Sequence, residues 1–329
     1  MMSITSSPAT DEGEKQRARQ RRKWVNDYSM PIAYAALFVV LTFTVENFFS
    51  AANIVGLMLS VAQIGMVACT MMMCLASRDF DLSVGSTIAF AGVLGAMILE
   101  ATGSVLLAVG GSVLAGAAIG AFNGVLIAYL RVNALIATLA TMLMVRGLAF
   151  IASQGQAVGI ANEAFMDFGD TRWFGLPLPV LVTALCFVLF GVLLNHTIFG
   201  RNTLAIGGNP EAARLAGVNV ERLRVWIFLL QGVVTAAAGL ILASRITSGQ
   251  PNAAQGFELD VISACVLGGV SLQGGKARIF GVLVGVLIMG TVENVMNLMN
   301  VDAFYQYLVR GVILLAAVLF DQLKTRGAR

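Results

Sequence analysis

The sequence predicts an all-α polytopic membrane protein of about ten transmembrane helices in two inverted five-helix halves. Three observations carry this: a mean hydropathy of +0.83 with only 12% charged residues, a succession of ten apolar stretches, and a lopsided placement of Lys and Arg. A water-soluble domain carries about 25% charge, so this composition describes a chain that lives in lipid.

A helix crosses the hydrocarbon layer with roughly 17 to 25 residues. The apolar stretches are Pro31 to Val45, Ile54 to Leu75, Val84 to Leu99, Val105 to Tyr129, Leu135 to Ala152, Leu178 to Leu194, Val225 to Ala243, Leu259 to Val270, Ile279 to Val292 and Phe304 to Phe320. The first, eighth and ninth are short, and the eighth is the weakest because Gly268 and Gly269 follow it. With a cytoplasmic amino terminus, the inner segments hold Lys15 to Lys23, Arg78, Arg131, Arg201, Arg214, Arg222, Arg224, Lys276, Arg278, Lys324, Arg326 and Arg329. Only Arg172 and Arg245 fall outside, with Arg146 and Arg310 inside spans. Cytoplasmic loops are enriched in Lys and Arg, so this register places both termini in the cytoplasm. Residues 1–29 read as a basic cytoplasmic tail and an uncleaved start, 30–323 as the transmembrane domain, and 324–329 as a second tail.

Several chemistries are excluded. Cys69, Cys74, Cys186 and Cys265 lie in spans without paired spacing, so no metal site or disulfide framework is expected. The single histidine, His196, sits at a helix end with no catalytic partner in the sequence, and neither HExxH nor GxSxG occurs. "LGGVSLQGGKAR" resembles a phosphate loop, but Val270 stands where a Walker glycine belongs and Ala277 follows Lys276. No cofactor is expected in this chain, and the basic amino-terminal cluster reads as an orientation signal held by anionic lipid rather than a nucleic-acid site.

An internal repeat supports the two halves. "LASR" occurs at Leu75 to Arg78 and Leu242 to Arg245, followed by "FDLSV" from Phe80 and "FELDV" from Phe257, and "VRG" recurs at Val145 and Val309. Glycine ladders, Gly116, Gly120 and Gly124 against Gly281 and Gly285, form a matching pair. Five spans is an odd number, so the halves are inverted, as in transporters that open alternately to the two sides.

The polar segment 196–224 carries a complete short helix. Asn209 suits the N-cap, Pro210 the first helical position, Glu211 the helix start, Arg214 its end and Gly217 the left-handed C-cap. A helix of about two turns is marginal alone in water, so it docks either on its own membrane domain or, as its basic cytoplasmic loop favours, on a partner. Asp81 and Ser83 are placed to cap the third span, with a gate or hinge as the sharper alternative; Glu258 and Asp260 invite the same two readings. Polar residues inside spans are pathway candidates because they are costly in lipid: Gln63, Asn123, Asn133, Thr138, Thr141, Arg146, Gln231, Glu293, Asn294, Asn297, Gln306 and Arg310. Glu293 and Arg310 are expected to form an ion pair. The external loop from Ser153 to Pro177 is either a docking surface or a solvated connector.

Residues Phe199 to Gly217 resemble the cytoplasmic loop of bacterial ABC-type monosaccharide permeases, the family of the ribose, xylose, galactose and arabinose transporters. The likeness covers about residues 28 to 323. "DLSVGS", Asp81 to Ser86, is similar to a motif of the family, and "DFDLSV", "NALIATLATM", "VRGLA", "ILASRITSGQP", "VISACVLGGVSLQGG" and "GTVENVMNL" are similar to its arabinose branch, while Arg78 departs from the glycine usual there. The resemblance implies an ABC importer permease architecture in a bacterial inner membrane, with Gly207, Gly208, Asn209, Glu211, Arg214 and Gly217 at the interface with a cytoplasmic ATPase subunit that uses the ATP. It also implies a periplasmic sugar-binding protein, a second copy of the chain and a monosaccharide cargo. The alternative is a secondary sugar transporter coupled to an ion gradient; it requires a titratable or ion-coordinating site at mid-membrane, for which Glu293, near a helix end, is a poor candidate.

Overall fold

The computed structural model describes residues 30–326, so the basic cluster from Lys15 to Lys23 and the final three residues lie outside the described residues. The chain divides into two units, Met1–Glu46 and Asn47–Arg329. The first contains helix α1, Met30–Thr44.

The second unit is helical apart from four two-residue strands. Its helices are α2 Ala51–Ala76, α3 Val84–Thr102, α4 Val105–Ala128, α5 Ala134–Ala152, α6 Glu163–Asp170, α7 Leu178–His196, α8 Ile198–Gly208, α9 Pro210–Leu215, α10 Val220–Arg245, α11 Phe257–Leu267, α12 Ile279–Leu298 and α13 Ala303–Arg326. Seven of them (α2, α3, α4, α5, α7, α10 and α12) are long and apolar enough to cross a membrane. The apolar parts of α1 and α13 are shorter. Helix α11 has 11 residues, which at 1.5 Å per residue reach roughly 16 Å, about half of a ~30 Å hydrocarbon layer. The eighth stretch is therefore a half-helix and not a full span.

Helix α2 is the axis of the unit. From Ile64 to Ala76 every residue is buried, because α7, α10, α11 and α12 pack around it. A helix that is apolar all round belongs in such a position. Peripheral helices show the reverse pattern and turn Leu139, Leu143 and Leu148 of α5, or Leu185 and Leu189 of α7, outward. Short polar links lock the bundle: Asn53 and Asn294 exchange amide hydrogen bonds of 3.1 and 3.0 Å between α2 and α12, and the Thr183 hydroxyl donates to the Ala62 carbonyl.

The packing repeats with the halves exchanged. Helix α4 packs on α10 as α12 packs on α2, α3 lies on α10 as α11 lies on α2, and α3 touches α4 and α5 as α11 touches α12 and α13. The two LASR copies close the two 26-residue helices α2 and α10. The glycine ladders differ, however. Gly116, Gly120 and Gly124 let α4 approach the backbone of α10, whereas Gly281 and Gly285 admit Gly268 and Ala264 of α11, within their own half. They are not equivalent, and the matching pair expected from sequence is corrected here.

The segment from Ser153 to Pro177 is built rather than a plain connector. It holds α6 and the strands β1 Val158–Gly159, β2 Arg172–Trp173 and β3 Leu176–Pro177. Strand β1 pairs antiparallel with β4, Ser248–Gly249, and the Ser244 hydroxyl donates 2.6 Å to the Phe165 carbonyl.

Candidate functional site

The expected short helix forms as α9. The Asn209 Oδ1 accepts from the amides of Glu211 and Ala212, both at 3.1 Å, and Gly217 follows the helix at φ +86. Arg214 donates to Glu211 at 2.9 Å and to Glu221 at the start of α10. The bonded Glu221 carboxylate holds the Arg214 guanidinium above the usual arginine range. This pairing fixes α9 to α10, while Leu215 at the tip is 90% exposed.

Behind α9 lies a glycine clasp. The Gly275 amide donates to the Ala76 carbonyl at the end of α2, at 2.9 Å. A Cβ on Gly207 would collide with that same carbonyl and with the Gly275 nitrogen, and one on Gly274 would lie 2.8 Å from the Gly207 carbonyl. Gly207–Gly208 and Gly274–Gly275 thus press backbone to backbone against the end of α2. The "QGGK" sequence, which mimics a phosphate loop, serves this contact.

Two cavities occupy opposite ends of α10. The proximal one, beside α9, has a volume of about 650 Å³ and is lined by Arg78, Asp79, Phe80, Arg131, Arg214, Glu221 and Arg224, among others. Its carboxylates are paired. Arg224 Nε stands 3.0 Å from Asp79 Oδ2, joining α10 to the α2–α3 connection. Burial pushes the Asp79 carboxyl up to about 6, against the pull of Arg224 and of the Ser77 hydroxyl. Arg78 adopts φ +73, a left-handed conformation that costs a non-glycine residue about 1–2 kcal/mol.

The start of α3 stands between the cavities. Asp81, buried at 2% exposure, caps it: its Oδ1 accepts from the Ser83 amide at 2.9 Å and the Ser83 hydroxyl at 2.6 Å. Ser83 makes no cap bond of its own and instead accepts from Asn123 Nδ2 of α4 at 3.0 Å. Two residues on, a Cβ at Gly85 would come within 2.6 Å of Glu258 Oε2 and closer still to the Ala254 carbonyl. The amino-terminal ends of α3 and α11 therefore meet. Arg146 of α5 holds the connection before α11 by donating 2.8 and 2.7 Å to the carbonyls of Pro251 and Ala253.

The distal cavity, at the Arg245 end of α10, has a volume of about 600 Å³. Ser60 and Gln63 of α2, Arg245, Asn252, Gln255, Phe257, Asp260, Glu293, Tyr307 and Arg310 line it. Arg310 reaches Asp260 Oδ2 at 3.0 Å and Glu293 at 3.7 Å. Asp260 is 4% exposed, and its other oxygen, Oδ1, has no hydrogen-bond partner.

The profile of the permease family described as "Branched-chain amino acid transport system / permease component" matches residues 53–318. The chain belongs to this permease family. The permease is 56% identical over 308 residues to the L-arabinose transport system permease protein AraH of Escherichia coli (strain K12), covering 94% of each chain. It is 51% identical over 326 residues to the L-arabinose ABC transporter permease protein AraH of Azospirillum brasilense, covering 98% of this chain and 96% of that one. The ribose import permease protein RbsC of Bacillus subtilis (strain 168) is 42% identical over 292 residues, covering 88% of this chain and 90% of that one. No solved structure matches the permease.

The polar span residues separate into two groups in the permease. Gln63, Glu293 and Arg310 reach the distal cavity, and Glu293 and Arg310 pair as expected, although Asp260 is the nearer partner of Arg310. Several others bind protein: Asn294 holds Asn53, Asn297 accepts from Gln306 at 3.0 Å, and Asn133 caps α5 at the rim of the proximal cavity, whereas Thr141 Oγ1 and Gln231 Nε2 are buried without a hydrogen-bond partner. Sequence reasoning missed the Arg224–Asp79 pair and the roles of Arg245, Asn252, Gln255 and Tyr307 as lining. These residues lie near helix ends and in connections, where a hydropathy scan carries no signal. The repeat held the one available pointer, because Phe80 and Phe257 occupy matching positions and line opposite cavities.

Proposed function

We propose that this permease is the membrane-spanning subunit of an ATP-driven, binding-protein-dependent importer of L-arabinose. The observation that carries the reading is α9: a two-turn helix, capped, ion-paired to α10 and backed by the glycine clasp, that presents Leu215 outward. A rigid helix with an exposed apolar tip is suited to receive force from a docked partner, and the sequence likeness to two L-arabinose permeases supports both the ATPase and the sugar.

In this reading ten helical segments make up the membrane domain, with both termini in the cytoplasm and α9 on the ATPase side. The exchanged packing of the halves supports inverted repeats, which suit alternating access. Gly207, Gly208, Asn209, Glu211, Arg214 and Gly217 form the ATPase interface and its support. The structured segment around α6, on the opposite face, receives the sugar-loaded binding protein. A second copy of the chain completes the transporter.

Motion enters at α9 and passes along two routes. Arg214 and Glu221 carry it into α10, whose Arg224 holds Asp79 just before the α3 start; the clasp carries it into α2. Both routes end at the junction of α3 and α11, where Asp81, Ser83, Asn123 and Glu258 stand between the cavities. The chain performs no covalent chemistry of its own. The test is uptake of labelled L-arabinose by proteoliposomes holding the permease with and without its ATPase and binding protein. The expected result is uptake only with both partners and ATP; gradient-driven uptake by the permease alone would contradict the proposal and favour an ion-coupled carrier.

A further inference from the structure

We propose that the distal cavity is a monosaccharide-binding site within the permease, formed by Gln63, Asn252, Gln255, Asp260, Tyr307 and Arg310. This rests on the importer reading above and names where the sugar is held after it leaves the binding protein.

Charged groups in a membrane domain are expensive and face protein or water. Here they face a space of about 600 Å³, within the usual 300–1,000 Å³ of small-molecule sites. Arg245 and Arg310 balance Asp260 and Glu293 on its walls, so the cavity has no net charge to select a lone cation or anion. The Asp260 Oδ1 is a buried acceptor without a partner, and such an atom costs roughly 1–3 kcal/mol until a donor reaches it. Oδ1 exposes less than 1 Å², so a sugar hydroxyl becomes that donor when the Asp260–Arg310 pair shifts on binding. The amides of Gln63, Asn252 and Gln255 both donate and accept, which matches hydroxyls that do both. Phe257 and Tyr307 add ring surface for the C–H face of a pyranose.

The proximal cavity is different. Its carboxylates Asp79, Glu211 and Glu221 are each held by Arg224 or Arg214, and the Asp79 and Glu221 pairs join separate elements.

The experiment uses the complete transporter in lipid nanodiscs, with Cys69, Cys74, Cys186 and Cys265 replaced by alanine and Gln255→Cys introduced. L-arabinose is expected to slow labelling of that cysteine by a charged thiosulfonate at least fivefold, with no slowing by L-leucine or mannitol. No slowing by L-arabinose, or equal slowing by L-leucine, would overturn the site. A second measurement keeps the native cysteines: retention of tritiated L-arabinose by the wild-type permease, expected to weaken at least tenfold in Asp260→Asn. Wild type that retains no sugar, or Asp260→Asn that retains as much, also overturns the site. If ATP-driven uptake is intact while protection and retention fail, the site alone is wrong; if uptake needs no ATPase, the importer reading fails with it.

Discussion

The two cavities are assembled from corresponding parts with the halves exchanged. The proximal one takes the α2–α3 connection, the α4–α5 corner and the start of α10; the distal one takes the α10–α11 connection, the α12 and α13 walls and the middle of α2. Their chemistry has diverged. At the proximal end each carboxylate is paired with an arginine, while at the distal end Asp260 keeps one oxygen without a partner beside the amides of Gln63, Asn252 and Gln255. In the proposed reading this shared architecture serves two tasks, transmission at one end and reception of solute at the other.

The largest effect is expected where a charge is stranded at the distal cavity. Arg310→Glu would leave Asp260 and Glu293 facing a third carboxylate, and breaking a buried pair costs about 3–5 kcal/mol. Membrane-inserted yield, measured by fluorescence-detected chromatography, is expected to collapse. Because Asp260 is nearer, Asp260→Arg combined with Arg310→Asp should recover more yield than Glu293→Arg combined with Arg310→Glu. The opposite ranking would make Glu293 the principal partner.

At the proximal end the clasp comes next. Gly207→Ala forces a methyl into the Ala76 carbonyl, an overpacking of about 1–3 kcal/mol, and should lower uptake at least tenfold in thermally stable, inserted protein. Gly208→Ala, whose Cβ meets nothing within 4 Å, is expected to lower it far less. Equal loss would remove the clasp from the account.

How much of this was legible in sequence follows from the physics of each element. Hydropathy found the seven long apolar helices, because a membrane demands long apolar runs, and cap chemistry found α9 to the residue. The half-helix α11 escaped because an apolar run does not report whether its helix stops in mid-membrane; Gly268 was the hint. Asn294, a pathway candidate in sequence, bonds to Asn53 between α2 and α12, since an amide in a span serves either purpose and only its neighbour decides. Asp260 went unpaired in sequence reasoning because its partner Arg310 lies in a different helix, with α12 intervening.

A pH titration separates the cavities further. The folded chain holds the Asp79 proton more tightly than an ordinary carboxyl, to about 6, so the stability drawn from its neutral form is present below the ordinary carboxylate pKa and lost as pH rises through about 6. The ion pair with Arg224 exists on the other side of that value. Uptake is expected to fall as the pH on the α9 side of the membrane drops through about 6, and Asp79→Asn should flatten that step; a step unchanged in the variant would assign it elsewhere. The smallest effect belongs to Arg78→Gly, which releases the left-handed strain and should raise thermal stability by the equivalent of ~1 kcal/mol or less. A loss of stability would mean that the side chain, and not the backbone, matters there.

The most direct measurement is ATP hydrolysis and L-arabinose uptake in the same proteoliposomes, comparing Arg214→Glu with Asp260→Asn. The account predicts that Arg214→Glu loses the hydrolysis stimulated by the loaded binding protein together with uptake, whereas Asp260→Asn imports less sugar per ATP hydrolysed. If both variants lower hydrolysis and uptake in the same proportion, the division of labour between the two cavities is contradicted.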